Sequence, residues 1–361
     1  MRIHNLNKSV ELLKNDIGYY FSRKLDFPFG TPKNLTLTLT YRCNQNCIMC
    51  SIRNNDMDKK CELSIDEVKN IIEQMKEMRI PELVLTGGEP VLLDYFFDIC
   101  NYAFNNGIRV IAITNGCYPK QYVDRIIASK INHIQISLDG SNADTYDSIR
   151  GIKGGFDLTI SNIKTLIKAG KSVGLTCTVM NQNFSELLDI ALLAKSLGAT
   201  RLAIRPVHLD NTDPRNFKTD SNIWVPEEKL EEFCAVIDRL KEFNNKTGYI
   251  DFNPDLDWFK SYFKKGYIMP TNLCYMGYNR LIIAFNEKES YEVWMCGGMI
   301  GDIRKKSIRE IWYSKEAKAS RKQIRKCKKA CLFPELYEPG LQNFKTIIAS
   351  FKNNLRCNYE L

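Results

Sequence analysis

The chain has 361 residues, 44% of them hydrophobic and 26% charged, and its 13 cysteines are too sparse for a small secreted protein held together by disulfides. The formal net charge of +9 comes without a nucleic-acid-binding motif, so we interpret it as a solvated surface with no nucleic-acid partner. The chain contains no run of 18 apolar residues and no apolar amino-terminal stretch, and we expect a cytoplasmic protein without a membrane span.

From residue 34 onward, strand-like and helix-like segments alternate in the pattern that is typical of parallel β/α proteins. The predicted strands lie at 34–43, 82–86, 109–114, 133–139, 172–179 and 200–207, and the predicted helices near 64–78, 94–106, 119–129, 157–169 and 184–197. Ser64 and Glu67 predict a capping box at the start of the first of these helices, whose apolar face is formed by Val68, Ile71, Ile72 and Met75. Six such units are fewer than the eight of a closed barrel. Between a flat doubly wound sheet and an open barrel, we predict a partial (β/α)6 TIM-like barrel.

The alternation stops after about residue 208, which predicts a second, smaller unit. An amphipathic helix is expected at 226–243 and a β-hairpin at 280–296, followed by a basic helical tail, so the unit has a small α+β character. One amphipathic helix is expected at 7–27, ahead of the first strand, with Val10, Leu13, Ile17 and Phe21 as its apolar stripe. The predicted organisation is a helical segment at 1–33, a core at 34–222 and a carboxy-terminal domain at 223–361.

Three cysteines follow the first predicted strand within the segment YRCNQNCIMC. Cys43, Cys47 and Cys50 have the spacing Cys-x3-Cys-x2-Cys. Three thiolates can hold a [4Fe–4S] cubane and leave one iron open to an external ligand. The alternative is a structural zinc site that recruits Cys61 as its fourth ligand.

Two further motifs follow later strands: GGEP at 87–90 and SLDG at 137–140. Together with the cysteine loop, this combination resembles the radical S-adenosylmethionine (radical SAM) superfamily. The resemblance implies an enzyme in which a [4Fe–4S] cluster on the three cysteines binds SAM at its open iron. One electron, from a donor such as flavodoxin or ferredoxin, cleaves SAM to a 5′-deoxyadenosyl radical that abstracts a substrate hydrogen.

The same resemblance implies which residues contact SAM. Gly87 and Gly88 are expected to let the backbone approach the ligand, and Glu89 to pair with the cofactor's ammonium group. Ser137 and Asp139 lie two apart on one strand and are expected to face the ribose. The full set of expected cofactor-binding residues is Met49, Gly87, Gly88, Glu89, Pro90, Ser137, Asp139, Arg150, Asn181 and Arg205.

A second group of cysteines lies near the carboxy terminus. The segment from Cys296 to Trp312 resembles SPASM and twitch domains, which implies an auxiliary [4Fe–4S] cluster that relays an electron. Full SPASM domains usually carry more cysteines than the five found from Cys274 onward, so we expect one cluster, with Cys357 as a spare thiol. The expected ligands are Cys274, Cys296, Cys327 and Cys331, and the alternative is a four-cysteine zinc site.

The sequence leaves the substrate open between three hypotheses. We expect oxidation or rearrangement of a small polar metabolite, such as a sugar or aminocyclitol. The alternatives are a peptide or protein maturase that forms a crosslink, thioether or epimer, and a non-enzymatic zinc or iron–sulfur protein. His208 is followed by Asp210 and Asp213, which indicates either an acid/base group or a polar linker.

Overall fold

The structure, a computed structural model, describes residues 2–50, 62–207, 222–252, 255–265, 274–285, 290–296, 298–327, 341 and 343–348, with side chains from residue 13 onward. Among these residues no helix combines the length and the apolar composition needed to cross a membrane. Cys61, Cys331, Cys357, His208, Asp210 and Asp213 lie outside the described residues, and so do the predictions that depend on them.

The described strands form one mixed sheet in the order β10-β9-β8-β1-β2-β3-β4-β5-β6-β7. Strands β1 to β8 run parallel to one another, whereas β9 pairs antiparallel with β8 and β10 pairs antiparallel with β9. Their bounds are β1 Asn34–Thr40, β2 Glu82–Gly87, β3 Arg109–Thr114, β4 His133–Ser137, β5 Val173–Val179, β6 Leu202–Pro206, β7 Ile250–Asp251, β8 Arg280–Phe285, β9 Tyr291–Met295 and β10 Gly298–Asp302. The predicted α/β class with six β/α units is confirmed.

The helices pack on the sheet through their apolar faces, which contact the buried side chains of the strands. In the helix after β1, Ser64 and Glu67 form the predicted capping box, and the predicted apolar face is buried. The helices are α1 Arg2–Leu25, α2 Ile65–Glu77, α3 Phe96–Asn105, α4 Lys120–Ala128, α5 Ala143–Arg150, α6 Gly155–Lys168, α7 Leu187–Ser196, α8 Leu230–Thr247, α9 Asp257–Lys265, α10 Ile308–Trp312 and α11 Lys315–Arg325. The sequence did not predict α5, which has only eight residues.

The carboxy-terminal hairpin extends the main sheet. Strand β8 pairs in parallel with β1, with Asn34 opposite Arg280 and Leu37 opposite Ile283. The hairpin prediction is correct for β8 and β9, and β10 adds a third strand that the sequence did not predict. The sheet is therefore continuous between the predicted core and the predicted carboxy-terminal domain, whose boundaries stay a prediction.

The amino-terminal helix α1 packs on this carboxy-terminal part. The buried Tyr19 forms a small apolar cluster with Tyr275 and Tyr278, and Tyr278 donates to Asp26 Oδ1 across 3.0 Å. The predicted apolar stripe of α1 included Phe21, and here the prediction is wrong, because Phe21 is 41% exposed. Tyr19 instead lies on the buried face.

Candidate active site

A cavity of about 470 Å³ opens at the carboxyl ends of β1 to β4. All three cysteines of the first motif line it, so the structure brings together residues that the sequence assigned to one site. The lining residues are Tyr41, Arg42, Cys43, Gln45, Cys47, Met49, Cys50, Thr86, Gly87, Gly88, Ile113, Thr114, Asn115, Ser137 and Arg150. Among the described residues, no three His, Cys, Asp or Glu side chains form a group that would hold one metal ion.

The two glycines at the end of β2, Gly87 and Gly88, lie against the start of the cysteine loop. Gly88 N donates to Thr40 O across 2.7 Å, and Glu89 N donates to Arg42 O across 2.8 Å. A Cβ atom on Gly87 would lie 2.2 Å from Thr40 O, and one on Gly88 would lie 2.2 Å from Arg42 O. The sequence explained these glycines by the approach of a ligand, whereas the structure shows that they first allow two loops to touch.

Glu89 is fully buried and joins the loop after β2 to the end of β3. Its Oε1 accepts from Thr114 Oγ1 across 2.7 Å and from Val91 N across 3.2 Å, and its Oε2 accepts from Asn115 N across 2.7 Å. Burial raises the pKa of Glu89 to about 7, against these hydrogen bonds, which lower it. Glu89 thus fixes the geometry around the cavity without lining it.

An asparagine pair connects the cysteine loop to the loop after β3. Asn115 Nδ2 donates to Asn44 Oδ1 across 2.7 Å and lies 3.8 Å from Cys43 Sγ. Asn44 Nδ2 in turn donates to Cys117 O across 2.6 Å. The sequence motifs assigned neither asparagine to the site, although the amide of Asn44 directly follows the motif residue Cys43.

Arg150 reaches the cavity from the end of α5. Its Nη1 lies 3.7 Å from Cys47 Sγ, and its Nη2 lies 2.5 Å from Asp139 Oδ2. Asp139 is fully buried, and its Oδ1 accepts from Thr178 N across 2.6 Å. Burial raises the pKa of the Asp139 carboxyl and of the Cys47 thiol, and the Arg150 guanidinium opposes both shifts.

Half of the ten residues expected to bind the cofactor line the cavity: Met49, Gly87, Gly88, Ser137 and Arg150. The lining excludes Glu89, Pro90, Asp139, Asn181 and Arg205. Asn181 Nδ2 donates to Asn222 O across 3.2 Å, and Arg205 Nη1 donates to Ile204 O across 2.9 Å. Ser137 and Asp139 were expected to face the ribose together, but only Ser137 faces the cavity.

The hairpin β8–β9 supports the cysteine loop from the other side. Tyr41 donates to Phe285 O across 2.6 Å, and the two rings meet edge to face with their centroids 6.1 Å apart. Tyr291 donates to Leu39 O across 3.3 Å. The hairpin thus contacts the end of β1 and the start of the cysteine loop across the predicted domain boundary.

Three of the four predicted auxiliary ligands are described. Cys274 is half-buried, whereas Cys296 and Cys327 are exposed. The segments that carry them meet at Gly277, where an added Cβ atom would lie 3.1 Å from Ile324 Cδ1 and 3.2 Å from Met295 Sδ. Arg321 Nε donates to Gly277 O across 2.6 Å.

The sequence profile of the radical SAM superfamily matches residues 37–194, which contain the cysteine loop, the paired glycines and Ser137. Residues 37–194 of this chain form a radical SAM domain. The predicted recognition of a radical SAM protein is confirmed. A [4Fe–4S] cluster and SAM are the cofactors that this family uses, and relatives of the SPASM/twitch type carry auxiliary clusters.

Two characterised relatives differ in how much of the chain they match. The AdoMet-dependent heme synthase of Methanosarcina barkeri is 27% identical over 304 residues, which cover 80% of this chain and 84% of the relative. The mycofactocin maturase of Mycolicibacterium smegmatis is 35% identical over 182 residues, which cover 50% of this chain and 45% of the relative. The chain thus spans less than half the length of that maturase.

Solved structures show the same fold. SuiB of Streptococcus suis bound to the precursor peptide SuiA superposes with a TM-score of 0.62 at 13% identity, over 90% of this chain and 71% of SuiB. This similarity covers more of the chain than residues 37–194.

Proposed function

We propose that this radical SAM enzyme modifies a peptide or protein substrate. The observation that carries the catalytic part is one cavity lined by three motif cysteines, two glycines without side chains and Ser137. The relatives support the peptide substrate, because a mycofactocin maturase and a peptide-bound SuiB are similar to this chain. Neither similarity points to a sugar, so we now favour the peptide alternative over our first expectation from the sequence.

The residues around the cavity fit the cofactors of the family. Cys43, Cys47 and Cys50 would hold the cluster, and their number leaves one iron open to SAM. Ser137 and the backbone at Gly88 would orient SAM, whose reductive cleavage supplies a 5′-deoxyadenosyl radical for hydrogen abstraction. Met49 offers a polarisable thioether against an adenine ring. A low-potential protein such as a flavodoxin or ferredoxin would supply the electron.

We propose further that Cys274, Cys296, Cys327 and Cys331 hold one auxiliary [4Fe–4S] cluster. The meeting of three cysteine-bearing segments at Gly277 supports this set. Arg23 of α1 donates from Nε to Cys274 O across 2.9 Å, which ties the amino-terminal helix to the same place. Four thiolates would saturate the cluster, so its role would be to accept or relay an electron rather than to bind substrate.

A second substrate class is an iron tetrapyrrole. The observation that favours it is the extent of the match to the heme synthase, which covers 80% of this chain and 84% of the relative. A peptide and a porphyrin differ in shape and charge, because a porphyrin carries its carboxylates on a rigid, flat, largely apolar ring. The two classes therefore give opposite results with the same enzyme preparation.

The test uses anaerobically reconstituted protein with SAM and a chemical reductant. Peptides encoded beside the gene, prepared in deuterated form, should raise 5′-deoxyadenosine formation and transfer deuterium into it. Iron coproporphyrin III is the probe for the second class. Transfer from the peptide supports the proposal, and stimulation by the porphyrin alone would replace it with the second candidate. Stimulation by a sugar alone would return the function to our first expectation.

A further inference from the structure

We propose that Arg150, held by Asp139, is a positioning residue that orients Cys47 and raises the reduction potential of the cluster bound there. The inference rests on the assignment of a cluster to Cys43, Cys47 and Cys50, and it does not depend on the substrate. It gives Asp139 a different role from the ribose contact expected from the sequence. It also gives Arg150 a role other than binding the cofactor's carboxylate.

The first step is the geometry of the three side chains. Arg150 Nη1 lies 3.7 Å from Cys47 Sγ, within hydrogen-bonding range for sulfur, while Nη2 lies 2.5 Å from Asp139 Oδ2. One guanidinium therefore contacts a buried carboxylate and a cluster ligand through two different nitrogens. Asp139 is itself fixed, because its Oδ1 accepts from Thr178 N and its backbone oxygen accepts from Asn183 Nδ2 across 2.9 Å.

The second step is the attachment of the cysteine loop to the end of α5. Asn46 N donates to Arg150 O across 3.1 Å, and Ile48 N donates to Ile149 O across 3.0 Å. These hydrogen bonds lie on either side of Cys47 in the sequence. A Cβ atom on Gly151, whose φ is +64°, would lie 2.5 Å from Asn46 O. The helix end thus holds the backbone of Cys47 and presents Arg150 to its sulfur.

The third step is electrostatic. Arg150 is 7% exposed and Asp139 is fully buried, so water screens their charges poorly. Reduction of a cubane from its 2+ to its 1+ state adds one electron from an external low-potential donor, and hence one negative charge near the ligand sulfurs. A cation that donates to a ligand sulfur stabilises the reduced state more than the oxidised state, and hydrogen bonds to the sulfurs are known determinants of cluster potential.

The test is a reduction titration followed by electron paramagnetic resonance on reconstituted protein without SAM. Arg150→Gln should shift the midpoint potential to a more negative value by about 59 mV. For a one-electron couple, this shift corresponds to a change of about tenfold in the reduction equilibrium constant. Arg150→Lys should shift the midpoint potential less, because lysine keeps the positive charge but lacks the planar guanidinium group. The matched control is Arg109→Gln, which removes an arginine from an ion pair with Glu82 at the opposite end of the strands.

An unchanged midpoint in Arg150→Gln, combined with weaker SAM binding, would overturn the proposal and assign Arg150 to the cofactor. If Arg150→Gln does not retain iron, the unmodified protein decides the question. Wild-type protein labelled with ¹⁵N-arginine should show a nitrogen coupling to the reduced cluster in pulsed resonance, and labelled Arg150→Lys should lack it. Absence of that coupling in the wild type overturns the proposal, whereas absence of iron there refutes the cluster assignment itself.

Discussion

Asn115 donates from its side-chain amide to Asn44 Oδ1 across 2.7 Å, and this hydrogen bond joins the loop after β3 to the cysteine loop. Asn115 Oδ1 also accepts from Cys117 N across 2.8 Å, which fixes the orientation of its amide. The pair therefore holds the backbone next to Cys43 in place before any cluster is bound.

We expect Asn115→Ala to loosen the cysteine loop, because a buried polar group that loses its hydrogen-bond partner destabilises the fold by about 1–3 kcal/mol. The reconstituted variant should release iron to a chelator severalfold faster than the wild type. The matched control is Asn132→Ala, which removes an asparagine that accepts from Val110 N across 2.7 Å at the other end of the sheet. Equal iron release from both variants would contradict a specific role for Asn115.

We expect Gly88→Ala to impair cluster binding, because the added Cβ atom would lie 2.2 Å from Arg42 O and backbone must move. Overpacking of this kind costs about 1–3 kcal/mol, and here the strain falls on the cysteine loop. The measurements are the thermal midpoint and the iron content after reconstitution. Gly18→Ala in α1 is the control, because its Cβ atom meets nothing within 4 Å. A Gly88→Ala protein with normal iron would refute the argument.

We expect the wild type to bind about eight irons and Cys296→Ala about four, because each [4Fe–4S] cluster accounts for four. Cys43→Ala should lose the other four and with them SAM cleavage. The control is Cys100→Ala, because Cys100 is fully buried in the apolar core. Wild-type protein with about four irons and one zinc would remove the auxiliary cluster and its proposed relay role.

His133 should make stability depend on pH. Burial lowers its pKa below 6.5, so the folded protein binds its proton less readily than the unfolded chain. Stability should therefore fall as the pH decreases below 6.5 through that lowered pKa. His133→Gln should remove this part of the loss. As the pH is lowered from about 7.5 to about 5, a range that brackets the ordinary histidine pKa, the thermal midpoint of the variant should therefore approach that of the wild type. A constant difference across this range would contradict the prediction.

Much of the fold followed from local pattern. Apolar runs of strand length alternating with amphipathic helices fixed the six β/α units, and Ser64 with Glu67 marked the start of α2. The helix α5 was missed because eight residues are too few to show a helical period. The same limit applied to β10, whose five residues include Gly298 and Gly301.

By itself, the sequence identified the superfamily, because three thiols at this spacing occur together with GGEP and SLDG. Only the tertiary structure decided which polar residues face the cavity. Asp139 and Ser137 have the same sequence signal, yet Asp139 pairs with Arg150 and Ser137 lines the site. The physical reason is that the buried Asp139 carboxylate finds its partner on a helix that follows the strand. Such a tertiary contact produces no periodic pattern in the sequence.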